Sequence, residues 1–131
     1  MISRSEPVWF RLWYAYLIKL DRPLGGRKHK ARFYLGIACD WRDRFMTHCR
    51  KQGAKMLKAA VEKGISFRLV RVWQFDSARR ASSFETWGKH SVKNHRKLLR
   101  LPIPDWIGGW LMPAKEYRQW RSTQLPQLLA A

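Results

Sequence analysis

Carboxylates are scarce in this chain. Its 131 residues carry 9 Asp and Glu against 27 Lys and Arg, a formal net charge of +18. Self-repulsion of that size opposes folding, so a polyanionic partner is expected to compensate it. Nucleic acid leads, because Lys and Arg contacts to phosphate release counterions and supply sequence-independent affinity. Cysteine is nearly absent too. Cys39 and Cys49 cannot make a disulfide framework, and their spacing with His29 and His48 matches no familiar zinc pattern, so both are expected as small buried hydrophobes. No apolar run reaches the roughly 18 residues of a membrane span, and no basic amphipathic helix dominates, which disfavours an acidic membrane surface as the partner. A secretory signal is also missing, since Arg11 and Lys19 break the first apolar run. A cytoplasmic location with reduced thiols is therefore expected, nucleoid-associated in a bacterium. Internal repeats, low-complexity blocks and base-reading modules such as helix-turn-helix or zinc fingers are lacking as well.

What is present is apolar and aromatic. Hydrophobic residues make up 46% of the chain, with 8 Trp, 6 Phe and 4 Tyr, enough for one packed domain. Residues 8–19 are aromatic and branched with some alternation and predict a strand. Asp21-Arg22-Pro23-Leu24-Gly25-Gly26 is turn chemistry, extended by the basic arm Arg27-Lys28-His29-Lys30. Residues 32–38 predict the returning strand of a hairpin with a long charged tip. Asp40 caps a helix over 40–51, with Trp41, Phe45, Met46 and Cys49 on one side and Arg44 and His48 sharing another. A second helix is expected over 54–63, with Met56, Leu57, Ala60 and Val61 inward.

Residues 66–75 alternate around Phe67, Leu69, Val70 and Val72 and predict a central strand covered on both faces. Ser77 caps a long helix expected to run to about Leu101, where Pro102 and Pro104 stop it. Its inward positions are Ala81, Phe84, Gly88, Val92, His95 and Leu98 or Leu99. Residues 105–112 predict a compact aromatic turn or helix, and Pro113 opens a final helix carrying Tyr117 and Trp120, before a frayed tail after Gln124. The expected fold class is α/β in the α+β sense: a small, mostly antiparallel sheet of three strands flanked by helices. Residues 8–101 form the main domain, and 102–131 an aromatic helical extension packing on it.

Five residues invite a chemical reading, each beside a plainer one. Glu85 is the only acid between Asp76 and Asp105. Helix spacing alone favours a solvated pair with Lys89, whereas one carboxylate with phosphate and water is also how Mg²⁺ is often held. Arg44 reads as one more surface charge, or as the guanidinium fork that meets a phosphate gaining negative charge. His48 could deliver or accept a proton near neutral pH. Tyr16 and Tyr34 read as strand core, or as groups that orient a water or take its proton with help from nearby cations.

The spacing of these residues resembles the GIY-YIG nuclease superfamily. Tyr14-Ala15-Tyr16 stands for the first triplet and Tyr34-Leu35-Gly36 for the second; Arg44, His48 and the later Glu85 follow in the family's order. Gln52-Gly53-Ala54-Lys55 looks like the Gly-Ala-Lys segment of small stand-alone and Holliday-junction-cutting members. The likeness spans residues 13–100. Tyr14-Ala15 replaces the usual Gly-Ile, and Ile37 stands where the excision-repair branch carries Lys.

The resemblance implies a structure-selective or weakly sequence-specific DNA endonuclease, in repair or in a mobile element. Glu85 would hold one Mg²⁺ or Mn²⁺, Tyr16 or Tyr34 would orient or deprotonate water with His48 as helper, and Arg44 would stabilise charge on the phosphate. Arg27, Lys28 and Lys30 of the arm, Lys55, and a helical stripe of Lys89, Lys93, Arg96, Lys97 and Arg100 would track the backbone of the DNA, branched and nicked forms included. Two alternatives remain: a non-catalytic nucleic-acid-binding protein using the same basic faces, and a partner-directed subunit. In the latter, Trp106, Trp110 and Trp120 would be the partner surface; the other expectation for them is packing under the sheet as core.

Overall fold

The computed structural model describes residues 11–25 and 31–122. The start of the first expected strand, the arm Arg27-Lys28-His29-Lys30 and the tail after Gln124 lie outside the described residues. Strand β1 spans Trp13–Leu20 and pairs antiparallel with β2, Phe33–Ala38. Helices α1, Trp41–Cys49, and α2, Lys55–Glu62, follow. Strand β3, Phe67–Phe75, then returns antiparallel to the other side of β1, before helix α3, Ala78–His90. The class is α+β.

The period-two pattern of β1 explains its central position. Ala15 and Leu17 join a core with Ala81 and Phe84 of α3, while Tyr16, Ile18 and Leu20 join a second core with Trp41, Phe45, Leu57 and Ala60 of α1 and α2. Both faces are thus apolar, as a strand sandwiched between helices requires. Trp41 and Phe45 are each 1% exposed, and burial of that completeness stabilises by about 1.5–3 kcal/mol per large apolar side chain. A register shift between Leu17 and Ile18 interrupts the pairing of β1 with β3, a bulge that bends the sheet locally.

The helix starts follow their caps. Asp40 Oδ1 accepts from the backbone N–H groups of Arg42 and Asp43, each at 3.1 Å, and Ser77 Oγ accepts from Arg80 N–H at 3.2 Å.

The C-terminal third departs from expectation. Among the described residues the sheet has four strands, in the order β2-β1-β3-β4, because Trp110–Leu111 forms a short β4 against Gln74 and Trp73. Gly108 and Gly109, at φ +76° and +105°, turn the chain back to reach β3. The long helix expected to Leu101 ends at His90. Asn94 then accepts an N–H bond from Arg96 at 3.0 Å and starts a separate 3₁₀ turn, His95–Leu99. Short polar side chains that bond the local backbone compete with helix continuation in this way. The apolar period survives the break, since Ala81, Phe84, Gly88, Val92 and Leu98 are all buried.

After Pro113 the expected helix is replaced, among the described residues, by a 3₁₀ turn, Ala114–Glu116, and an isolated bridge of Arg121 with Arg68. Tyr117 and Trp120 still reach the α1 core, where Trp120 lies edge-on to Trp41 at 5.6 Å. Trp106 and Trp110 do not pack under the sheet: they are 68% and 56% exposed. Cys39 is exposed as well, whereas Cys49 is buried as expected.

Candidate functional site

The register of β1 with β2 sets Tyr16 opposite Gly36 and Ile18 opposite Tyr34, so the two tyrosines are diagonal neighbours on one face of the sheet. Gly36 allows them to converge. A Cβ there would stand 2.6 Å from Tyr16 Oη and 2.9 Å from Tyr34 Cε2, closer than side-chain atoms tolerate. The rings consequently sit 6.2 Å apart, centroid to centroid. His48 arrives from α1, with its ring 5.8 Å from Tyr16 and 5.5 Å from Tyr34. Its Nε2 lies 2.9 Å from Tyr16 Oη.

His48 is fully buried, although its helix position reads as a side away from the apolar face. The chain after α1 folds back over it. A Cβ on Gly53 would overlap the imidazole at Nδ1, so only glycine permits this closure. The next residue, Ala54, donates its N–H to His48 Nδ1 at 3.3 Å. With Nδ1 accepting, the ring proton resides on Nε2, and His48 donates to the Tyr16 oxygen. Burial, and next the Arg44 guanidinium, lower the His48 pKa to about 4. The expectation of a group titrating near neutral pH is therefore corrected: His48 is a neutral, fixed donor.

Tyr16 is 1% exposed, and burial is the main force raising its phenol far above the ordinary value, with Tyr34 adding to it. The positive charge of Arg44 opposes that shift. Tyr34 and Arg44 are themselves only half-buried. Of the two tyrosines, Tyr34 on the edge strand β2 is the one a substrate could meet.

Glu85 reaches this cluster through one cation. Its Oε2 is 3.1 Å from Lys89 Nζ, and that ammonium lies 6.0 Å from the centre of the Tyr34 ring. The pair expected from helix spacing thus exists, and it also ties the carboxylate to the tyrosines. Among the described residues no three His, Cys, Asp or Glu side chains gather in a group. A divalent cation here would have Glu85 as its protein ligand, with phosphate and water supplying the rest. That donor set fits Mg²⁺, which retains waters and accepts one or two carboxylates plus phosphate. The Glu85 side chain keeps 23% of its surface exposed, and Lys89 holds it through a flexible stem at 41% exposure.

The basic residues divide into separate groups. Lys55 opens α2 and is exposed. Lys89 belongs to α3, but Lys93, Arg96, Lys97 and Arg100 follow the break at Ser91, so the single helical stripe is corrected to two segments. Arg27, Lys28 and Lys30 lie outside the described residues. Two features are not visible in the linear pattern. Lys89 bridges Glu85 and Tyr34, and Gly53-Ala54 clamps His48; the glycine five positions after the histidine was the available signal.

No family model, curated protein or solved structure matches this chain.

Proposed function

We propose that this protein is a GIY-YIG-type, divalent-cation-dependent endonuclease that hydrolyses a DNA phosphodiester bond with structure selectivity or weak sequence preference. One observation carries the reading: Tyr16, Tyr34 and His48 converge from two strands and from the helix that also carries Arg44, and Lys89 links Glu85 to the Tyr34 ring.

Tyr34, half-buried at the sheet edge, orients the attacking water. Tyr16 stands behind it, its oxygen held by the His48 N–H, with the Arg44 guanidinium charge acting on the same phenol. The same guanidinium, partly open to solvent, takes up charge growing on the phosphate as the water oxygen bonds to phosphorus and the bond to the 3′ oxygen breaks. Glu85 would hold Mg²⁺ or Mn²⁺, which supplies neutralisation of the phosphate and of the departing oxygen. Exposed Lys55, Lys93, Arg96, Lys97 and Arg100 bind the flanking backbone without reading bases. This activity belongs to repair or to a mobile element, in the cytoplasm or on a nucleoid. Among the described residues no helix is long and apolar enough to cross a membrane.

A second reading is a non-catalytic nucleic-acid-binding protein, and the observation favouring it is the Glu85–Lys89 contact, which engages the candidate metal ligand with a lysine. A partner-directed subunit draws support from the exposed Trp106 and Trp110. Plasmid, nicked, flap and four-way-junction DNA, incubated with and without Mg²⁺ or Mn²⁺, separate these. Cleavage of at least one substrate that is abolished by EDTA is the expected outcome. Salt-sensitive binding with every substrate intact would select the second reading.

A further inference from the structure

A groove of about 570 Å³, a size that takes a small ligand, is lined by Arg32, Phe33, Lys93, Asn94, His95 and Arg96. It joins the start of the edge strand β2 to the segment where the expected long helix breaks. Without that break, Lys93 and Arg96 would extend α3 instead of turning toward Phe33. Among the described residues no carboxylate lines the groove. The Arg32 guanidinium is held by carbonyl oxygens, those of Asp21 at 2.8 Å and Leu20 at 3.4 Å, which position it without neutralising its charge. Lys19 adds a cation 5.9 Å from the Phe33 ring centre. Its pKa is lowered by burial and by the charges of Arg32, Arg68 and Arg96, with Asp21 opposing. His95 is partly buried, and Phe33 precedes Tyr34 along β2, packing on the opposite face of the sheet.

We infer that this groove binds an unpaired nucleotide strand, with phosphates on Arg32, Lys93 and Arg96 and a base against the Phe33 and His95 rings. Cations without carboxylates select a polyanion, and two rings among them select one whose bases are free to stack; a duplex would engage the charges and leave the rings unused. The inference rests on the nuclease reading only for its consequence, namely that preferred substrates carry single-stranded character next to the cut. The binding itself needs neither metal nor cleavage.

Fluorescence anisotropy in EDTA, with a labelled oligothymidine and a duplex of equal length, tests it, and an oligouridine arm reports which sugar is preferred. Phe33→Leu, which keeps an apolar side chain at a half-buried position, should weaken single-strand binding roughly tenfold and leave duplex binding unchanged. The double variant Lys93→Gln/Arg96→Gln should lower the single-strand salt slope by about 0.7 for each phosphate it no longer neutralises. Unaltered thermal unfolding of each variant shows that the fold is kept. Weaker single-strand affinity in Phe33→Leu supports the groove even if no metal yields cleavage. Unchanged single-strand affinity in a folded Phe33→Leu protein, or tighter binding of duplex than of single strand by the wild type, overturns the groove and leaves the nuclease reading standing.

Discussion

His48 and Glu85 occupy opposite environments in the same candidate site. His48 is enclosed on all sides, donates to Tyr16 at 2.9 Å, accepts from Ala54 at 3.3 Å, and has a glycine beside it where any side chain would collide. Glu85 stands on a helix surface and, among the described residues, pairs with Lys89 alone, whose side chain is 41% exposed. Tyr16 and His48, which would stand behind the residues meeting water and phosphate, are built into the core and fixed before substrate arrives. The carboxylate half is held by one partly exposed lysine pair. Preorganised donors contribute most where rearrangement is costly, whereas a metal ligand has to remain accessible.

The difference is measurable as stability, and the largest effect falls on His48. Its pKa is near 4 in the folded protein and about 6.5 in an unfolded chain, so the unfolded state binds the extra proton first as pH falls. Stability is therefore complete above about pH 6.5 and is lost between pH 6.5 and 4, by on the order of 3 kcal/mol from this group. His48→Gln, which keeps a donor and an acceptor, should remove that component. Urea unfolding of both proteins across this window checks it, and parallel pH curves would show that His48 is not the buried neutral group described.

A smaller loss is expected from Gly53→Ala, because the new Cβ overlaps the imidazole. Overpacking of this kind costs about 1–3 kcal/mol, readable as a lower urea midpoint at unchanged slope. An alanine accepted without loss would mean that the loop does not close over His48. The smallest effect belongs to the other side of the comparison. Glu85→Gln breaks only an exposed pair and should shift stability by less than about 1 kcal/mol. A larger loss would make Glu85 a structural residue and sharpen the case against its role as a metal ligand.

Much of this arrangement was legible in the sequence where local rules govern. Asp40 and Ser77 announced their helices, and alternation in residues 66–75 announced β3. The two expected hairpin strands pair as anticipated within the described residues. What escaped was set by long-range closure. The burial of His48 depends on Gly53 returning over it, and helical periodicity around Arg44 cannot show that. The strand β4 depends on two glycines at positive φ delivering Trp110 to Gln74, whereas the local Trp-Ile-Gly-Gly-Trp pattern reads as a turn. The helix ended at His90 while the apolar period continued past the break, so Ala81, Phe84, Gly88, Val92 and Leu98 were read correctly as core on an element that does not exist as one piece, whereas His95 is only partly buried. The spacing that suggested five site residues carried no information on Lys89, whose place between Glu85 and Tyr34 emerges only in three dimensions.

The most direct test pairs cleavage with binding in Arg44→Ala and Glu85→Ala. Both side chains lie outside the fully buried core, so both proteins should fold. Mg²⁺- or Mn²⁺-dependent nicking by the wild type is expected to fall at least about 100-fold in each variant, with DNA affinity retained within a few fold. Wild-type cleavage rates in either variant, or a wild-type protein that binds DNA and never cuts it with either metal, would contradict the proposed hydrolytic site.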